Sequence, residues 1–139
     1  MIRASVLGSP ISHSLSPIIH HRAYQVLGWD WAYERHEVAS GQLGNFLEEN
    51  KGRFRGLSLT MPLKEEALSL VDSLSDLSKR VNGINTIVID ELGSQGHNTD
   101  VQGFIDALSF QRVSIPSNVT VLGGGATARA AIAAVDGRA

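Results

Sequence analysis

At 139 residues, with 42% hydrophobic and 19% charged side chains, the chain has the make-up of one globular domain, or of one domain and a fragment of a second. A formal charge of −2 and the absence of cysteine argue against nucleic acid or an anionic membrane as partner, and exclude a disulfide framework and a thiolate metal site. No apolar run suits a bilayer span, and MIRASVLGSP is too short in its apolar part for a signal peptide, so the expectation is a cytoplasmic domain handling something small.

In chain order, Ile2–Leu7 is expected to be a strand ending at Gly8. Ser16 and Pro17 read as N-cap and first helical residue, with Ile19, Ala23, Val26 and Leu27 on the buried face and Gly28 as the stop. Trp31–Val38 alternates like a strand, and Ser40–Asn50 carries a helical stripe of Leu43, Phe46 and Leu47. Gly56–Leu59 is a strand leading into Thr60. Pro62 opens a helix to about Val71, and Leu74–Val81 forms another. Thr86–Asp90 and Gly96–Asn98, flanking a turn over Glu91–Gln95, suit a hairpin. Asp100–Phe110 is a helix, Val113–Asn118 a polar linker around Pro116, and Val119–Leu122 a last strand before an alanine-rich helix. This rhythm predicts an α/β fold, a three-layer α/β/α domain with a mostly parallel sheet. The boundary is expected near Ser114–Ser117.

SPISHSLSP, residues 9–17, runs a serine-rich turn into a helix start. Such a start favours an anion, and Ser14 and Ser16 add hydroxyl donors suited to a carboxylate; equally, Ser16 simply caps the helix and the others are turn residues. In LSLTMPLKEEA, residues 57–67, Lys64 falls in a first helical turn, where the dipole disfavours a cation. That placement suits a general acid–base lysine, although a lysine with its head in solvent loses little there. In GHNTDVQGF, residues 96–104, Thr99 and Gln102 form a capping box, so Asp100 is not needed as the cap. Its carboxylate is available to hydroxyls or an ammonium, or complements the helix dipole.

VNGINTIV offers the Asn85 amide, which can donate to and accept from a hydroxyl ligand or serve a turn. In LGGGATARAA, Gly123, Gly125 and Ala128 match G-x-G-x-x-A between a strand and a helix, the start of a dinucleotide-binding unit. His13, His20 and His21 lack both the spacing of a zinc helix and adjacent acids. They are assigned surface or turn roles, and no metal site is expected.

Taken in order, SPISHSLSP, SLTMPLKEEA, GINT, HNTD and LGGGATAR resemble the shikimate dehydrogenase family over nearly the whole chain. The resemblance implies that family's shikimate-binding catalytic domain over residues 1–113. Over 114–139 it implies the incomplete start of an NADP-binding Rossmann domain. The activity implied is NADPH-dependent, reversible reduction of 3-dehydroshikimate to shikimate, on the route to chorismate and the aromatic amino acids. Carried over by position, Ser14 and Ser16 bind the substrate carboxylate, and Thr60, Asn85 and Asp100 contact ring hydroxyls. Lys64 is the acid–base residue, paired with Asp100, and Gly123, Gly125 and Ala128 lie under the NADP pyrophosphate.

Two departures stand out. Ser58 replaces an asparagine common in the family, which puts direct contact with a ring hydroxyl in question. Val101 follows Asp100 where many members have glycine, while Gly103 keeps the possibility of a close helix approach. Because the family's cofactor domain continues well past Ala139, the chain is expected to be a truncated dehydrogenase, inactive by itself. The alternatives are an isolated shikimate-binding module without turnover and a quinate/shikimate dehydrogenase. The apolar surface around Val119–Leu122 and Ala130–Val135 is expected to be covered by a second copy, as a homodimer, or else to be disordered.

Overall fold

The computed structural model describes residues 1–136; residues 137–139, the end of the expected second unit, lie outside the described residues. Strand β1 (Ile2–Gly8), second from one edge of a six-stranded sheet, has its last five residues buried. Parallel partners flank it on both sides, β2 (Trp31–Glu37) and β3 (Gly56–Leu59). A parallel strand covered on both faces must be nearly continuously apolar, and ASVLG meets that demand with Ser5 fully buried.

Beyond β3 the sheet changes direction. β5 (Thr86–Asp90) runs antiparallel to β3 and turns through Glu91–Leu92 into β6 (Gly93–His97). The hairpin is therefore tighter than expected. The Asp90 carboxylate accepts from the Leu92 N–H at 2.8 Å, and Gly93 takes the positive φ of 116° that follows so short a turn. Two residues, β4 (Ser73–Leu74), pair parallel with β6 at the edge, giving the order β2-β1-β3-β5-β6-β4.

The sheet lies between helices. On one face Leu7, Leu57, Leu59 and Ile87 pack with Leu43 of α2 (Leu43–Glu49) and Leu63 of α3 (Leu63–Glu66). On the other, Ala4, Val6 and Tyr33 pack with Tyr24 of α1 (Ser16–Leu27). α4 (Asp76–Val81), α5 (Asp100–Phe110) and α6 (Ala126–Val135) form a third cluster, in which Ala130, Ala133 and Ala134 let α6 approach Val81 and Val101 closely. The layering is the α/β arrangement expected, with an antiparallel step at β3–β5–β6 in an otherwise parallel sheet.

Several expectations are corrected. The α1 stripe of Ile19, Ala23, Val26 and Leu27 faces outward, with Val26 70% exposed; the buried contact is Tyr24, set among Trp29 and Trp31. Apolar count marked a stripe, but the aromatic cluster decided which side of the helix docks. α2 begins at Leu43 rather than Ser40, because the Glu66 carboxylate accepts from the N–H groups of Gly41 and Leu43 and so defines where the helix starts.

The helix after Pro62 stops at Glu66 and tightens into a 3₁₀ turn over Ala67–Ser69. Leu74 is in a strand, and α4 begins after Ser75, whose hydroxyl accepts from the Ser78 N–H. No strand forms over Val119–Leu122: the segment pairs with none of the six strands of the sheet, and Leu122 is 93% exposed. A Cβ on Gly103 would meet open space, so that glycine brings no element close.

Candidate active site

The topology collects the candidate residues at one end of the sheet. β1 and β3 both end there, delivering Ser9–Ser16 and Thr60–Lys64; antiparallel β5 starts there, just after Asn85, and β6 ends there before Asn98–Asp100. The carboxyl ends of sheet strands, where loops diverge, are where α/β folds hold ligands. Backbone bonds tie these segments together: the Leu59 N–H donates to Asn85 O at 2.7 Å, the Asn85 N–H to His97 O at 3.0 Å and the Ile84 N–H to Lys64 O at 2.9 Å.

Lys64 and Asp100 meet at this end. The Lys64 Nζ donates to Asp100 Oδ2 at 2.6 Å, with both side chains largely covered, at 16% and 23% exposure. Asn85 Nδ2 donates to the other carboxylate oxygen at 2.7 Å, so Asp100 is held from both sides. The Asn85 carbonyl in turn accepts from the Thr99 N–H at 3.0 Å and from the Thr86 hydroxyl at 3.1 Å. Each member is thus oriented by its neighbour, which is what a preorganised polar site requires.

α5 is not started by a capping box. Asn98, buried and donating to Gly83 O at 2.9 Å, accepts from the N–H groups of Asp100 and Val101, while Gln102 reaches forward to Asp106. A buried amide anchored through its nitrogen presents its oxygen rigidly, and so displaces Thr99 from the capping task. Thr99 instead bonds Asn85.

Ser14 and Ser16 line a cavity of about 240 Å³ together with Val6, His13, Thr60 and Met61. The Ser14 hydroxyl, not that of Ser16, accepts a helix-start N–H, that of Ser16 at 3.3 Å, so the expected Ser16 cap is replaced. Thr60 and Met61 also border a larger cleft of about 870 Å³, whose walls include Lys64, Gly123, Gly125, Thr127 and Ala128. The serine notch and the glycine turn therefore open on either side of Thr60, with Lys64 on the cleft wall.

Other side chains complete the frame. Glu37 accepts from the Ser9 hydroxyl at 2.6 Å and the Ile11 N–H at 3.0 Å; these bonds hold its carboxyl below the usual carboxylate range and pin the loop that carries the serines. Arg129 donates to Val81 O, Asn82 O and Gly124 O and to the Glu65 carboxylate, fastening α6 to α4 and to the residue after Lys64. Thr127 comes within 3.4 Å of Lys64 Nζ. None of these is signalled locally in the sequence: Glu37 ends an alternating strand, and Arg129 is one basic residue in an alanine-rich helix.

Residues 6–87 match the family model of the shikimate dehydrogenase substrate binding domain. The chain belongs to that family. It is 39% identical over 130 residues to a shikimate dehydrogenase (NADP(+)) of Thermus thermophilus, an alignment covering 94% of this chain and 49% of that protein. It is 44% identical over 128 residues to one of Methanococcoides burtonii, covering 91% and 47%. A crystal structure of the Thermus thermophilus shikimate 5-dehydrogenase in complex with NADP(H) and shikimate superposes with a TM-score of 0.92 at 38% identity, over 98% of this chain and 52% of that one. The chain spans about half the length of the curated relatives it matches.

Proposed function

We propose that this chain is the substrate-gripping part of an NADP-dependent shikimate dehydrogenase, which interconverts 3-dehydroshikimate and shikimate in aromatic amino acid biosynthesis. The observation that carries the reading is the Lys64–Asp100 pair at 2.6 Å, with Lys64 on the wall of the cleft that holds the glycine turn, a cleft that shares Thr60 and Met61 with the serine-lined cavity. Residues 1–113 form the substrate unit in this reading, and 114–139 begin the cofactor unit. Named relatives of known cofactor use NADP, and the surface here suits a dinucleotide phosphate. A Cβ on Gly124 or Gly125 would meet nothing within 4 Å, and no side chain caps α6, which leaves its N-terminus open to an anion. Gly123, Gly125 and Ala128 would hold the pyrophosphate there.

The chemistry then follows from charge. NADP(H), when bound, supplies or accepts the hydride. As the substrate carbonyl is reduced, negative charge develops on its oxygen; the Lys64 ammonium stabilises that charge and donates a proton to the oxygen, leaving a hydroxyl. In the oxidative direction neutral Lys64 takes the proton back. Asp100 orients the lysine, and Asn85 fixes Asp100. Ser14 and Ser16 hold the ring's carboxylate at the far end, and Thr60, Asn85 and Asp100 meet its hydroxyls.

Calorimetric titration with shikimate tests the gripping role, and an absent signal at millimolar ligand defeats it. Following cofactor reduction with shikimate and NADP(+) tests whether residues 1–139 turn over; binding without turnover is expected. The exposed Val119, Leu122 and Ile132 give self-association as part of the same reading. A purely monomeric sedimentation profile counts against that part. A cytoplasmic setting fits the lack of cysteine, and no helix among the described residues is long and apolar enough to cross a membrane.

A further inference from the structure

Helix α1 carries His20 and His21, which the chemistry above does not use, and both bear on one residue of β2. The His20 ring stacks on Tyr33 at 3.9 Å between centroids and 13° between planes, while its Nδ1 lies 2.9 Å from Ser16 O. His21 Nε2 accepts from the Tyr33 N–H at 3.2 Å. Ring and backbone of Tyr33 are thus both held by the helix that begins with Ser16. The Tyr33 hydroxyl donates to Ser58 Oγ at 2.7 Å.

Ser58 faces the α1 side of β3, where Tyr33 packs. Its neighbours Leu57 and Leu59 point into the opposite core, and it is registered on Val6, which lines the serine cavity, and on Thr86, which donates to Asn85. In-register residues share a face of the sheet. Ser58 therefore lies between the serine notch and the Lys64–Asp100–Asn85 network. Its oxygen is occupied by the tyrosine proton, so its own proton is left to donate. Burial pushes the Tyr33 phenol up, which keeps that proton on the tyrosine at neutral pH.

We infer that Tyr33 is a positioning residue for ligand selection: clamped by His20 and His21, it orients the short Ser58 hydroxyl so that Ser58 donates to a ring hydroxyl of the bound substrate. This rests on the proposed function and deepens it. A serine is too short to fix its own donor direction, whereas a longer amide at position 58 would need no such help.

The experiment is shikimate titration of the unaltered chain and of Tyr33→Phe, Ser58→Ala, the double variant Tyr33→Phe/Ser58→Ala, and Tyr33→Phe/Ser58→Asn, each checked for an unchanged melting profile. Tyr33→Phe and Ser58→Ala should each weaken binding about five- to tenfold. The double variant should lose no more than either alone, because both act through one hydrogen bond. Tyr33→Phe/Ser58→Asn should recover affinity to within about twofold of the unaltered chain, a rescue that a merely structural role for Tyr33 does not produce. Unaltered binding by Tyr33→Phe, multiplying losses in the double variant, or no rescue overturns this inference alone. No binding by the unaltered chain overturns the proposed function and takes this inference with it.

Discussion

Lys64 and Asp100 hold each other at 2.6 Å with little exposure, so the pair bears on both stability and function. Lys64→Met leaves a largely covered carboxylate with the Asn85 amide in place of an ammonium, and should lower unfolding free energy by about 1–3 kcal/mol. On the proposed function the same substitution removes a charged partner from the ligand, and shikimate affinity should fall about 10- to 100-fold. Chemical denaturation and calorimetry on one preparation check both, and a large stability loss with intact binding would make the pair structural. Glu37 adds a pH signature. Its folded carboxyl lies below its unfolded value because Ser9, and then Ile11, donate to the charged form. The stabilisation is therefore present above the unfolded pKa and is lost as pH falls through the folded one. The Ile11 amide should lose its exchange protection over that acidic window, and Glu37→Gln should lower its protection at neutral pH and flatten the profile.

At the scale of elements, two local devices place the loops of the candidate site. Asn98 both starts α5 and bonds Gly83, so Asn98→Ala should cost about 1–2 kcal/mol, whereas loss of the Thr99 hydroxyl leaves the helix start intact. Thermal unfolding of the two alanine variants distinguishes them. β1 meets the lysine loop at Gly8, where a Cβ would lie 2.4 Å from Thr60 Cγ2 and 2.9 Å from Met61 O. Gly8→Ala should destabilise by about 1–3 kcal/mol by forcing that loop outward, and should weaken shikimate binding with it. Period and punctuation revealed β1, β3, the hairpin and α5, because those signals are local. They did not reveal the two-residue β4 or the start of α2, which are set by partners distant in sequence, Gln95–Gly96 and Glu66 respectively.

For the molecule as a whole, the question is how the glycine turn is fixed beside the lysine. Arg129 does this from α6, bonding the end of α4 and the Glu65 carboxylate. Arg129→Met should raise protease cleavage within residues 113–125 severalfold while leaving shikimate affinity within about twofold, since its loss removes bonds to α6 and none to the serine notch. Equal protection of that segment in both proteins would mean that the alanine contacts of α6 suffice. The order of five short motifs was enough, by the sequence alone, to identify the family and the layered α/β class, and to nominate residue types suited to an acid, hydroxyls and a phosphate, because each motif states its chemistry within about ten residues. Which side of α1 is buried, that Asn98 rather than Thr99 starts α5, that Val119–Leu122 finds no ladder, and that Tyr33 reaches Ser58 were decided only by tertiary structure. Each depends on a partner far along the chain, and hydrogen bonds and packing between distant residues exist only once the sheet has brought them together.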